Sequence, residues 1–227
     1  MAFSVAIDGP AGAGKGTIAK YLSERFNLKH LDTGLLYREA ARLVVEEKAN
    51  ILDVVRLEAI AQKVDTHHII EENLRNEEIA SVASQIAVVP SLRRVLTQKM
   101  RDFASSVSSA YQGVVLDGRD VGSVILPQAD VKIYVTADEQ VRVLRRTKEL
   151  GSVAMQEILE GIKARDARDG NRQTAPLQVA DGAIVLDTTF LDIKEVCEKA
   201  AEIVEEALSN CEGAYNLSKT SSCLSKK

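Results

Sequence analysis

Short apolar runs alternate with longer stretches of helical period along most of the chain. Phe3 to Asp8 is nearly continuous in apolar residues and ends in a glycine-rich loop, which predicts a buried parallel strand. Lys15 to Phe26 follows with Ile18, Leu22 and Phe26 at helical spacing. His30 to Asp32 is a short strand candidate leading into Asp32-Thr33-Gly34, after which Leu36, Ala40, Leu43 and Val44 line one side of a second helix. Ile51 to Val64 reads as a helix capped by Asp53, with Val54, Leu57, Ile60 and Ala61 as its apolar face. Thr66 to Asn76 is polar and weakly patterned. Helical period returns from Glu77 to Val89, where Pro90 is expected to end it, and again from Leu92 to Val107.

Strands are predicted at Val114 to Leu116, Val131 to Val135 and Ala183 to Leu186. Between the last two, helices are expected from Asp138 to Leu150 and, on the Ile158, Leu159 and Ile162 face, from Met155 to Arg168. Ile193 to Leu208 closes the pattern as an amphipathic helix with Val196, Ile203 and Val204 inward. Residues 211–227, rich in Ser and Lys, are expected to form a disordered tail. This order predicts an α/β fold of three layers around a parallel sheet. Two helical excursions, roughly 51–107 and 151–172, stand outside the alternation and are candidate moving lobes.

Composition narrows the functions available. At 227 residues, with 45% hydrophobic, the chain can bury a substantial core. The net charge of −4 argues against a generally basic nucleic-acid binder, so recognition of phosphate must come from local Arg and Lys clusters. No apolar stretch is long enough to cross a bilayer, and Met1 leads into Phe3 to Ile7 without a cleavable leader, so a cytoplasmic location with no membrane partner is expected. Cys197, Cys211 and Cys223 lack metal-ligand spacing and read as reduced thiols. His67 and His68 are adjacent and have no Cys partner nearby, so no metal site is expected from them.

Candidate chemistry begins at the first loop. Gly9, Pro10, Ala11, Gly12, Ala13, Gly14, Lys15, Gly16 and Thr17 carry the G-x-x-x-x-G-K spacing of a phosphate loop. Small residues let successive N–H groups face one anion, the next helix presents its positive end, and Lys15 adds a mobile charge. Gly16 stands where such loops carry Ser or Thr, and Thr17 comes one place late, so a magnesium ion is expected to be held mainly through nucleotide and water. An ordinary glycine turn between strand and helix is the alternative. Asp117-Gly118-Arg119-Asp120 is delivered at the end of a strand, where ligands sit in open parallel sheets. Arg165, Arg168 and Arg172 fall at i, i+3 and i+7, interleaved with Asp166 and Asp169. They form either a solvated face of local ion pairs or a set of arginines stabilising a transferred phosphoryl group.

Taken together, these segments resemble the bacterial-type cytidylate kinases of the nucleoside monophosphate kinase group. The match runs through Ile7 to Thr17, Leu31-Asp32-Thr33-Gly34 with Tyr37-Arg38, and Ala83-Ser84-Gln85 followed by Pro90 and Arg93. It continues in Asp117 to Gly122 and in Arg165 to Arg172, covering nearly the whole chain to about Leu208. The resemblance implies one kinase domain over 1–210, with an acceptor-binding insertion at about 35–107 and a lid at about 151–172. It implies transfer of a phosphoryl group from ATP to CMP or dCMP, by a monomer.

In that family pattern Gly9 through Thr17 would hold the ATP phosphates, with Lys15 bridging donor and transferred groups. Thr33, Tyr37, Arg38 and Arg119 would grip the acceptor phosphate, and Ser84, Arg93 and Asp120 would read cytosine. Arg165 and Asp169 would meet the ribose hydroxyls, while Arg168 and Arg172 would reach toward phosphates, Arg172 alternatively toward the acceptor. Asp120 has a further reading, in which it pairs with Arg119 or caps the next turn. Val64 to Ile79 is shorter than the strand-rich insertion many members carry, which implies a simplified acceptor lobe. A kinase for UMP or AMP, and a nucleotide-binding module without turnover, are the competing functions.

Overall fold

The computed structural model describes residues 2–66, 68–74, 76–151 and 155–223. Five parallel strands form one sheet: β1 (Phe3–Asp8), β2 (Leu28–Asp32), β3 (Gly113–Gly118), β4 (Val131–Thr136) and β5 (Ile184–Asp187). Their spatial order is β2-β3-β1-β4-β5, with β1 at the centre. Register aligns Asp8 with Gly118 and Tyr134, and Asp32 with Asp117. The carboxyl ends of three strands therefore finish level, so the loops that follow them share one edge of the sheet. The chain order reverses around β1, which is where an open α/β sheet opens a crevice.

Both faces of the sheet's centre are covered, which is why β1 and β3 are apolar on both sides, whereas Ile184 and Val185 of the edge strand β5 stay exposed. On one face α1 (Lys15–Arg25) and α8 (Ile193–Cys223) enclose Val5, Ile7, Val115, Ile133, Leu186 and Val204. On the other, α2 (Thr33–Glu46), α3 (Val54–Lys63), α4 (Glu77–Ile86) and α5 (Pro90–Ser105) pack Leu36, Leu57, Ile86, Leu92 and Met100 against Ala6, Val114 and Leu116. A separate small cluster, Val143, Ile158 and Ile162, joins α6 (Glu139–Leu150) to α7 (Met155–Asn171).

Most helix starts follow local chemistry. The side chains of Asp32, Asp53, Asn76 and Asp138 accept hydrogen bonds from Gly34, Arg56, Ile79 and Gln140 backbone N–H groups. Pro90 does something different from what the pattern predicts. α4 already stops at Ile86, and Pro90 opens α5, whose first-turn N–H would be unpaired in any case; the two helices meet at 105°. The weakly patterned segment holds a 3₁₀ turn over Glu71–Leu74, and a π-helical turn covers Val121–Ile125.

At the C-terminus α8 is described to Cys223, and residues 224–227 of the expected tail lie outside the described residues. Cys197 is buried and unbridged. His68 is exposed beside Asp65, while His67 and the side chains of Cys211 and Cys223 lie outside the described residues. No single helix among the described residues is long and apolar enough to cross a membrane.

Candidate active site

A cleft of about 870 Å³ opens along the carboxyl edge of the sheet. The glycine loop walls one end. Gly9 has φ 150°, and a β-carbon there would lie 2.0 Å from the Val135 carbonyl oxygen, so only glycine lets β1 turn this close to β4. Gly14 adopts a left-handed conformation immediately before α1, which brings Lys15 into the first helical turn. The Lys15 ammonium donates to the Pro10 carbonyl at 2.8 Å and is almost wholly buried. Burial, reinforced by the neighbouring Arg119 guanidinium, pushes its pKa down to about 7.

Beneath the loop, Asp8 ties the two strand ends together. Its carboxylate accepts the backbone N–H groups of Val121 and Gly122, both at 2.7 Å, and so anchors the π-helical turn after Arg119 and Asp120. Burial raises its pKa to about 6 despite these two bonds. Nearby, the Thr33 hydroxyl donates to the Asp117 carbonyl at 2.8 Å, and Gly118 is required there: a β-carbon would meet that hydroxyl at 2.2 Å. Asp32 faces Asp117, and burial together with that like charge raises its pKa to about 6. His30 Nε2 lies 2.7 Å from the Asp117 carboxylate.

The far end is lined by Thr33, Tyr37, Arg38, Ser84, Arg119, Asp120, Arg165, Asp169 and Arg172. These come from the turn after β3, from helices α2, α4 and α7 and from the residue just past α7, segments separated by up to 139 positions between Thr33 and Arg172 in a chain of 227. Asp120 neither pairs with Arg119 nor caps the following turn through its side chain. It holds Arg93 at 2.5 Å, both side chains nearly inaccessible, and Arg93 also donates to the Ala87 carbonyl and faces the Tyr37 ring at 5.5 Å. Arg93 thus stands behind Asp120, off the cleft wall. Burial raises the Tyr37 hydroxyl to about 12.

Of Arg165, Arg168 and Arg172, only Arg172 pairs with a carboxylate of its own segment among the described residues, that of Asp169. Arg165 pairs with Glu77, and Arg168 donates to the Ser84 hydroxyl at 2.9 Å, both partners on α4. Arg172 has its Nη2 without a hydrogen-bond partner, the nearest carboxylate oxygen of Asp169 being 3.5 Å away. Asp169 also receives Arg119 at 2.9 Å. Arg168 is therefore directed at the acceptor lobe and is absent from the cleft lining, as are Gly9, Pro10, Ala13 and Arg93.

Several polar groups of the cleft escape a reading from motifs alone. Arg142 donates to the Ala11 carbonyl at 3.1 Å and pairs with Asp166 at 2.5 Å, and Asp166 in turn reaches the Ala11 N–H at 3.4 Å. Arg146 lines the cleft and pairs with Glu77. The run of arginines at 142, 145 and 146 on α6 was the visible signal for this wall; Asp8, Glu77 and His30 carried none, since their partners are distant in sequence.

One cavity with a phosphate loop at one end and arginines with a buried carboxylate at the other suits two anionic ligands meeting end to end. Comparison with known proteins agrees. A family profile described as cytidylate kinase matches residues 5–206. The cytidylate kinase of Methylocella silvestris is 43% identical over 207 residues, covering 89% of this chain and 94% of that protein. That of Mesorhizobium japonicum is 41% identical over 211 residues, covering 91% and 96%. A crystal structure of an uncharacterized protein from Eubacterium ventriosum shares the fold, with a TM-score of 0.52 and 16% identity over 92% of this chain and 99% of that one. With a matching profile across most of its length and the cleft such a reaction needs, the chain belongs to the cytidylate kinase family and is a nucleoside monophosphate kinase.

Proposed function

We propose that the chain transfers the γ-phosphoryl group of ATP to CMP, and likewise to dCMP, giving the nucleoside diphosphate and ADP. The observation that carries this reading is the single cleft shared by Lys15 with its glycine loop and by Arg38, Arg119, Asp120, Arg165 and Arg172. An oxygen of the acceptor phosphate attacks the γ-phosphorus, and the bond from that phosphorus to the bridging oxygen of ADP breaks. The nucleophile is already anionic, so no general base is required.

Catalysis then rests on alignment and neutralisation. Backbone N–H groups between Gly12 and Thr17 cradle the ATP phosphates, and Lys15 leaves the Pro10 carbonyl to follow the charge as it moves. Thr33, Tyr37, Arg38 and Arg119 orient the acceptor phosphate, while Arg165 and Asp169 meet the ribose hydroxyls. Arg172, whose buried Nη2 awaits an acceptor, reaches the acceptor nucleotide. Arg168 serves through Ser84, holding the α4 wall beside the base. Asp120 accepts from the exocyclic amine of cytosine and repels the carbonyl oxygen of uracil at the same place. Arg93 holds Asp120 in that position.

The chain's residues fit a magnesium ion that arrives with the nucleotide. Gly16 brings no hydroxyl to the loop, no three carboxylates or imidazoles converge among the described residues, and Asp32, Asp117 and Thr17 could meet its waters. When bound, the ion supplies charge neutralisation on the phosphate oxygens.

The test is a coupled phosphotransfer assay with ATP against CMP, dCMP, UMP and AMP. CMP and dCMP are expected to be turned over well and AMP poorly. Preference for AMP, or Lys15→Ala with wild-type turnover in a folded protein, would overturn the reading.

A further inference from the structure

Glu77 opens α4 in the acceptor lobe and lines the cleft, yet no motif assigns it a task. Its carboxylate joins two helices of the opposite wall: one oxygen receives Arg146 of α6 at 2.8 Å, and the other receives Arg165 of α7. The burial of the three groups is unequal. The two arginine side chains are each 13% exposed, whereas that of Glu77 is 40% exposed. Cations buried to that degree need a nearby anion, and removing their partner is costly unless another replaces it. Glu77 can instead turn to water at little cost.

Arg146 keeps a second partner in Glu149 at 2.9 Å on its own helix. Arg165 does not: among the described residues Glu77 is the only carboxylate paired with it. Arg165 is also a group that the functional reading above, on which this inference rests, sends to the acceptor nucleotide. A carboxylate and a nucleotide oxygen present the same hydrogen-bond acceptor to a guanidinium fork.

We propose that Glu77 is an affinity-setting residue of this kinase: its carboxylate holds Arg165 and Arg146, and a bound nucleotide competes with it for Arg165. By holding α7 against α4 through that pair, Glu77 weakens nucleotide binding so that product can leave.

The decisive comparison is calorimetric binding of CMP, and separately of ADP, to wild type and Glu77→Gln, alongside kcat and KM. Loss of the competing charge is expected to tighten CMP binding about two- to fivefold, the effect of releasing the one partly exposed ion pair that the nucleotide contests. kcat is expected to stay equal or to fall as release slows. A merely structural role would predict the reverse split, with weaker binding and a lower melting temperature. CMP affinity that is unchanged or weaker in the folded variant overturns the proposal. Should Glu77→Gln fail to fold, Glu77→Ala reads the same effect, because it likewise removes the carboxylate from Arg165; unaltered CMP affinity there overturns it equally. Failure of the functional reading is seen separately, as wild type that does not phosphorylate CMP.

Discussion

Lys15 shows how one residue can carry a motif's meaning and still need its surroundings to acquire its properties. Buried beside Arg119, its ammonium is held near pKa 7, so in the free enzyme it loses its proton as the pH rises past neutrality. ATP phosphates favour the protonated form. Binding above pH 7 should therefore take up a proton, and the ATP dissociation constant should increase with pH, by up to about tenfold per unit. Calorimetry at pH 8 in buffers of different ionisation enthalpy reads the proton directly. Lys15→Arg, charged at every accessible pH, should abolish the dependence.

Asp120 makes a second prediction at this scale. Because it is also the partner of buried Arg93, Asp120→Ala would leave a buried cation alone, and a loss of stability would obscure the result. Asp120→Asn keeps a hydrogen-bond acceptor for Arg93 and removes the charge. Its ratio of kcat/KM for CMP over UMP should fall about tenfold or more, within the roughly 1–3 kcal/mol of a mispaired buried polar group. An unaltered ratio would remove Asp120 from base recognition.

Among the elements, the strand ends matter most. β1 and β3 deliver their loops side by side because their registers align, and Asp8 locks that arrangement through two backbone N–H groups. Asp8→Ala would leave both donors buried and unpaired, so stability should drop by about 2–4 kcal/mol in denaturant unfolding, with nucleotide binding impaired beyond that loss. Such a bond could not be read from the sequence: Asp8 and Val121 are 113 positions apart. The Asp53 cap, by contrast, was legible because Asp53 sits three residues from the group it binds. Pro90 was misread as a stop for α4 because proline is compatible with a helix's first turn, and local pattern alone does not distinguish the end of one helix from the start of the next.

For the whole molecule, α7 is the bridge. Asp166 faces the glycine loop while Arg165 and Arg168 face α4, so α7 contacts both walls of the cleft at once. Salt should weaken those contacts more than it weakens the sheet core, and CMP with ADP together should raise the melting temperature by more than the two separate increments combined. Among the described side chains, α8 meets the sheet core through Val196, Ala200, Ala201 and Val204, with Ala207 and Leu208 at their margin.

What the amino-acid order alone determined was what depends on neighbours in sequence: the alternation of strand and helix, the phosphate loop, the Asp-Gly-Arg-Asp strand end and the arginine spacing of the lid. These signals are local because backbone geometry and hydrophobic period act over a few residues. Only the tertiary structure decided which charges meet. It placed Arg93 behind Asp120, turned Arg168 onto Ser84, brought Arg142 to Ala11 and set Glu77 between two arginines. Ion pairs across a cleft depend on how separate elements pack, and side chains that compete for the same partners are sorted by burial and distance, quantities that do not exist until the chain has folded.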